Sequence, residues 1–376
     1  MVEFRGQAIP AVLLFTIITT ATADRAAAAS WWETLTLKGD LRYRHEMIDM
    51  EGKDTRHRHR IRTRLGIFGE VSPYTKVGIQ LATGSGDPVS TNQTLGDAFA
   101  AKNINLDLAY FEITHERLPG ITLIGGKFPN PFFTPGHSEL LWDSDWNPEG
   151  GAFDFQQHLK DNITLNVTGA GLWIYERSGD DSYLVAGQGV GNLKFDEEKS
   201  TLAMGAGFYN YVNTKGFEVF YDPEDPKGNS INNPSSVTES VRYASDFEIL
   251  ELFGEVTHKF GEFPAGITGH VVTNTGADSL NTGWSVGLRV GKAKESGSWE
   301  GRYIYREVQK DAVVGIFTDS DFRGGGTDAS GHEIGGAVQL AKNTAFNVTY
   351  FFNFIGLQEE DEQEFKRLQL DLQLKF

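Results

Sequence analysis

The chain has 376 residues, a formal net charge of −17 and no cysteine. The acidic balance argues against nucleic acid as a partner, and the missing thiols exclude a disulfide framework, thiolate metal sites and Cys-His catalysis. Forty-three glycines and 12% aromatics at low mean hydropathy suit strands that are apolar on one face only.

Residues 1–23 have the layout of a secretory signal: Arg5, the apolar run from Ala11 to Ile18, then Ala21-Thr-Ala23 as a small-residue cleavage site. A second such site lies within Ala26 to Ala29. Export is the expectation. No later stretch approaches eighteen uninterrupted apolar residues, so a helical membrane span is not expected.

The first strand is expected near residues 35–44, with Leu35, Leu37, Leu41 and Tyr43 opposing Lys38, Asp40, Arg42 and Arg44. The second carries the most informative pattern in the chain. Arg56, Arg58, Arg60, Arg62 and Arg64 occupy every second position, and in a strand that period places all five on one face, about 7 Å apart. Neighbouring charges then repel by about 0.6 kcal/mol in water and by more than about 2 kcal/mol at an effective dielectric near 20. The arginine face is therefore expected to be wet. The opposite face continues as Ile61, Leu65 and Ile67. An edge strand of a soluble β protein explains this strand equally well; the rest of the chain decides.

Alternation recurs at Trp284, Val286, Leu288 and Val290 against Arg289, at Tyr303 and Tyr305 against Arg302 and Arg306, and at Phe346, Val348, Tyr350, Phe352 and Phe354 against Asn347, Thr349 and Asn353. It ends with Leu368, Leu370, Leu372, Leu374 and Phe376 against Arg367, Gln369, Asp371, Gln373 and Lys375. An arginine facing lipid at mid-membrane costs about 2–4 kcal/mol, so the polar parity is the lumen parity. That parity assigns Arg42, Arg44, Arg56, Arg58, Arg60, Arg62, Arg64, Lys76, Arg289, Arg302, Arg306 and Arg367 to the pore as basic lining. It also places Asp40, Glu46, Asp107, Glu251, Glu255, Glu300, Glu333 and Asp371 inside.

Connections alternate in length. Short links at 71–75, 116–120, 160–162, 196–200, 261–264, 294–296 and 342–343 separate longer, more polar segments at 47–55, 84–103, 129–150, 177–182, 213–244, 275–281, 310–330 and 357–364. This pattern predicts an all-β transmembrane antiparallel up-and-down barrel of about sixteen strands, with short periplasmic turns and long outer loops. Residues 24–376 form its single domain.

The pieces Gly126-Lys127, Asn130-Pro131-Phe132, Trp142-Asp143, Asp145 and Gly150, following an arginine-alternating second strand, resemble the bacterial outer-membrane "putative porin" family. More distantly they are similar to the phosphate-selective porins O and P. The resemblance spans nearly the whole mature chain as a strand-and-loop pattern and implies that the third outer loop, 129–150, folds into the lumen as a constriction. Glu139, Asp143, Asp145 and Glu149 would then be its acidic lining, opposed to the arginine rows. Alternatively, Trp142 and Trp146 simply plug this loop against the wall. The mixed lumen departs from a dominant basic ladder, so phosphate specificity is not implied.

The function expected is a porin: a passive, water-filled diffusion channel for small hydrophilic solutes and ions, with an anion preference set by the arginine row. The resemblance implies a homotrimer among outer-membrane lipid and lipopolysaccharide. One alternative is a scaffold barrel that sheathes a partner protein. Another is an outer-membrane enzyme, for which the scattered histidines and the absence of a serine motif give little support. No catalytic residue, cofactor or metal site is expected. His57 and His59 share the lipid-side parity at spacing i, i+2, which is read as interfacial placement rather than metal binding.

Overall fold

The structure is a computed structural model and describes residues 31–232, 240–358 and 362–376. The expected signal sequence lies outside the described residues. After a short turn of 3-10 helix at Trp31–Thr34, sixteen long strands follow. They are β1 (Thr36–Met50), β2 (Arg56–Ser72), β3 (Thr75–Thr83), β4 (Ile104–Thr114), β5 (Ile121–Lys127), β6 (Glu149–Lys160), β7 (Ile163–Tyr175) and β8 (Ser182–Phe195). The second half comprises β9 (Ser200–Val212), β10 (Phe247–Phe260), β11 (Phe263–Asn274), β12 (Thr282–Gly291), β13 (Trp299–Val308), β14 (Ala329–Ala341), β15 (Thr344–Ile355) and β16 (Gln363–Lys375).

Each strand pairs antiparallel with its sequence neighbours, and β1 closes on β16 in a register running from Asp40 opposite Lys375 to Met50 opposite Phe365. Closure leaves no sheet edge, which a wall in hydrocarbon requires because no water is there to satisfy unpaired N–H and C=O groups. The segment Gln93–Thr94 adds a short pairing beside Arg60 and Ile61 of β2. The short connections fall at one end of the barrel and the long ones at the other, in the order read from the sequence.

Side-chain burial runs opposite to that of a soluble protein. Leu37 is 59% and Ile267 66% exposed on the outer wall, whereas Glu46 is fully buried and Glu251 nearly so. Outer leucines, isoleucines and aromatics meet the apolar phase, and the inward parity gathers the charge.

Part of the inner wall departs from this rule. Toward the long-loop end, Leu172, Leu184, Tyr209, Tyr211, Phe247, Ile249, Val272 and Val308 point inward and are buried. They pack in one apolar cluster with residues from four connections: Val89 between β3 and β4, Phe128 to Trp146 between β5 and β6, Val219 and Phe220 between β9 and β10, and Ala312 to Phe317 between β13 and β14. The connections 213–246 and 309–328 are thus not plain polar outer loops. Burying a Phe or Leu side chain contributes about 1.5–3 kcal/mol, enough in sum to fix these connections against the strands.

Candidate functional site

The site begins with the arginines of β1 and β2, where the register sets Arg42 opposite Arg62 and Arg44 opposite Arg60. Four guanidinium groups on adjacent strands would repel strongly, and interleaved carboxylates relieve that repulsion. Arg44 forks onto Asp371 of β16, with Nε at 2.7 Å and Nη2 at 2.8 Å, and reaches Asp321 at 3.1 Å. Arg58 pairs with the buried Glu46. Arg62 donates to Asp40 at 2.8 Å, and Arg64 donates to Asp145 at 2.6 Å with Asp107 3.8 Å away. The expectation of a simply wet arginine face is corrected: most of the row is neutralised by carboxylates of the wall and of two long connections.

Three arginines are left over. Arg60 comes no nearer a carboxylate than 4.0 Å, to Glu46, and Arg42 lies 3.9 Å from Asp371 while donating to Asn92 at 2.7 Å. Their Nε atoms are buried without a hydrogen-bond partner among the described residues. Arg56, at the exposed start of β2, has no ion pair among the described residues.

The remaining basic residues of the inward parity also have carboxylate neighbours. Arg289 lies 3.5 Å from Glu255, Arg302 donates to Glu333 at 2.7 Å, and Arg306 donates to Asp319 at 2.8 Å. Arg367 donates to Asp321 at 2.8 Å. Lys76 and Glu70 sit 3.9 Å apart at the short-turn end, where both are exposed.

The connection between β5 and β6 touches widely separated strands. Phe133 donates its N–H to Gln188 of β8, Gly136 donates to Glu255 of β10, and Ser138 meets Ser285 of β12 at 2.8 Å. Asp145 then meets Arg62 and Arg64 of β2, and Asn147 donates to Asp107 of β4. Gly136 has φ 58°, and a Cβ there would lie 2.2 Å from Thr268 Oγ1 of β11, so this approach needs glycine. Trp142 and Trp146 stack at 4.1 Å and join Phe132, Tyr209 and Phe317. Both tryptophans thus pack together, Trp142 against Tyr209 of the wall, in the same segment as the carboxylates.

Those carboxylates divide into two groups. Burial alone would raise the Asp145 carboxyl, yet Arg64, then Arg62 and Arg42, bring it down to about 2. Glu139 and Asp143 lie instead beside Asp319. Burial first, and the like charge of neighbouring aspartates second, push both carboxyls well above the usual carboxylate range. Asp143 accepts from the N–H groups of Asp145 and Ser320, Glu139 from that of Ser144, and Asp319 from Arg306. Glu149 stands apart at the start of β6, paired with Lys127 at 2.9 Å.

Sequence reasoning missed Asp319 and Asp321, which supply the buried counter-charges for Arg306, Arg44 and Arg367. Their cue is the apolar run Ala312-Val-Val-Gly-Ile-Phe317 just before them, anomalous in a polar loop. It also missed a chain from Ser138 through His270 Nδ1 at 3.2 Å to Glu251, 2.9 Å from His270 Nε2. That order of groups resembles a hydrolytic triad, but Ser138 is 3% exposed. The chain pins the connection to β10 and β11, sealed from any substrate.

The model of the family described as "putative porin" matches residues 49–227 and 227–376, which takes in nearly the whole barrel. The chain belongs to the "putative porin" family. No curated protein matches this porin. Among solved structures, Pseudomonas putida OprB superposes with a TM-score of 0.59 at 11% identity, over 93% of this chain and 99% of that one. Salmonella typhi OmpF, solved in complex with daunomycin, gives 0.53 at 11% identity, over 91% and 97%. Vibrio cholerae OmpT, an outer membrane protein solved in a trimer form, gives 0.50 at 12% identity, over 91% and 100%. At such identities these likenesses establish the fold: this porin is a closed antiparallel barrel of the outer-membrane type.

Proposed function

We propose that this porin is a passive diffusion channel for small hydrophilic solutes and ions in the bacterial outer membrane, with a mild anion preference. The observation that carries the proposal is the charge accounting inside the barrel. Paired rows make the wall too polar to pack dry, and along the β1 and β2 wall the charges left without a close partner are positive, at Arg42, Arg56 and Arg60. Paired charges orient water without favouring either sign of ion; unpaired guanidinium groups attract anions.

Segment 129–150 acts in this proposal as the constriction loop. In a ring of sixteen, β2 and β10 stand on opposite sides, and one connection that bonds to both has to cross the space between. Asp145 sits on the arginine wall, while Glu139 and Asp143 sit beside Asp319 and Arg306. The apolar cluster built from these connections occupies part of the barrel, so the solute path runs along the β1, β2 and β16 wall. That cluster also takes space a sheathed partner would need, which disfavours the scaffold reading.

A homotrimer in lipid and lipopolysaccharide, reached by export and cleavage near residue 23, completes the proposal. Its support is the likeness to an outer membrane protein described in a trimer form. The test is reconstitution of the folded protein in a planar bilayer under a salt gradient. Stepwise conductance with an anion-favouring reversal potential is the expected result. Folded, inserted protein without conductance would overturn the channel, and a cation-favouring potential would overturn the role of the three arginines.

A further inference from the structure

The outward parity of β1 and β2 carries Tyr43, His45 and Met47 beside His57 and His59, with His45 directly opposite His59 and Met47 opposite His57. His45 thus meets two further imidazoles on the outer wall. His45 and His59 have ring centres 4.8 Å apart, and His45 and His57 have theirs 5.6 Å apart. We propose that His45, His57 and His59 bind a divalent late-transition-metal ion, Zn²⁺ or Cu²⁺, at this face, independently of the pore.

The spacing is the first argument. An imidazole nitrogen binds Zn²⁺ at about 2.0–2.1 Å, so two rings around one tetrahedral ion have centres about 5 Å apart. The two separations that involve His45 bracket that value, whereas His57 and His59, two residues apart on one strand, start about 7 Å apart and have to lean together. In the structure the His45 and His57 rings are stacked, at 22° to one another, so side-chain rotation has to turn their nitrogens inward on binding, without any change in the strands. An i, i+2 pair on one strand and a third histidine directly across supply three ligands from a rigid surface, which is the support a small ion needs.

The surroundings provide the second. Tyr43 Oη lies 2.8 Å from His59 Nδ1. With Nε2 on the ion, His59 would donate its Nδ1–H to Tyr43, the kind of outer contact that fixes the ring of a metal-binding histidine. Neutral imidazoles suit Zn²⁺ and Cu²⁺ over hard cations. His57 and His59 fall within three residues of the start of β2, about 10 Å along the strand. The ion would therefore sit in the interfacial belt, away from mid-membrane. Asp49, on the same parity of β1, brings a compensating negative charge to that rim.

The experiment titrates the full-length barrel, folded in detergent, with ZnCl₂ by calorimetry and with CuCl₂ by electron paramagnetic resonance. One saturable Zn²⁺ equivalent is expected, together with a copper signal split by several nitrogens. Affinity should fall about tenfold or more in His45→Ala and in His59→Ala. His115→Ala and His158→Ala, exposed histidines elsewhere, should bind as the parent does. Heat-shifted electrophoretic mobility confirms that each variant is folded, and single-channel conductance should not change with Zn²⁺, because the site lies outside the wall. No saturable binding by the folded parent overturns the proposal. So does full binding by His45→Ala.

Discussion

Asp145 lies between two arginines of β2, 2.6 Å from Arg64 and 3.5 Å from Arg62, and so ties the connection between β5 and β6 to the basic wall. Removing its charge strips Arg64 of its close partner, leaving Asp107 3.8 Å away, and takes a second carboxylate from Arg62, which keeps Asp40. Asp145→Asn should shift the reversal potential toward anions. It should also destabilise the folded barrel by about 3 kcal/mol, since buried guanidinium groups lose their partner. Planar-bilayer recordings and urea unfolding followed by electrophoretic mobility measure the two effects; an unchanged reversal potential would remove Asp145 from the conducting path.

The arginines of β2 should not respond alike. Arg60→Gln removes a surplus positive charge and should reduce anion preference with a stability change under about 1 kcal/mol. Arg62→Gln instead leaves Asp40 unbalanced, and should lower anion preference while costing about 3 kcal/mol. Equal unfolding midpoints for the two variants would contradict the pairing described. The combined change of Arg58, Arg60 and Arg62 to Gln should abolish the preference.

Acidification should act in two stages. Glu139 and Asp143 hold protons above the usual carboxylate range, so lowering the pH neutralises them first and strengthens anion preference. Asp145, held at about 2, keeps its charge until much lower pH. Its folded value lies below the unfolded value of about 3.9, so its contribution to stability is present above that value and lost as pH falls toward 2. For Glu139 and Asp143 the sign reverses: their relative contribution is present below the unfolded value and lost as pH rises through the raised one. Reversal potentials recorded from pH 7 downward, in the parent and in Glu139→Gln, test the first stage.

Trp142 anchors the same connection through its stack on Trp146. Trp142→Ala should cost about 3–5 kcal/mol and raise both the conductance and its noise, because the segment loses its apolar hold while its ion pairs remain. Quiet channels of parental conductance would show that the segment does not limit flow.

Gly136→Ala places a methyl group where Thr268 already stands, in a backbone conformation that favours glycine. It should release the segment from β10 and β11 and speed its cleavage by an added protease, with the barrel itself intact on electrophoresis.

The barrel was legible in the residues alone because a strand's side-chain period of two is local: the arginines of 56–64, the closing leucines of 368–374 and the alternation of short and long links each report on neighbours in sequence. Strand number and inward parity follow from that period and from the cost of charge in lipid. The pairing of those charges was not legible. Arg44 with Asp321, Arg306 with Asp319 and Arg64 with Asp145 are long-range contacts made by connections, whose paths no period encodes. Nor could parity reveal that part of the inner wall is apolar, since Phe247 and Ile249 face inward only because long connections fold back to cover them. The same holds for the histidines: His57 and His59 share a strand in the sequence, and only the β1 to β2 register sets His45 against them.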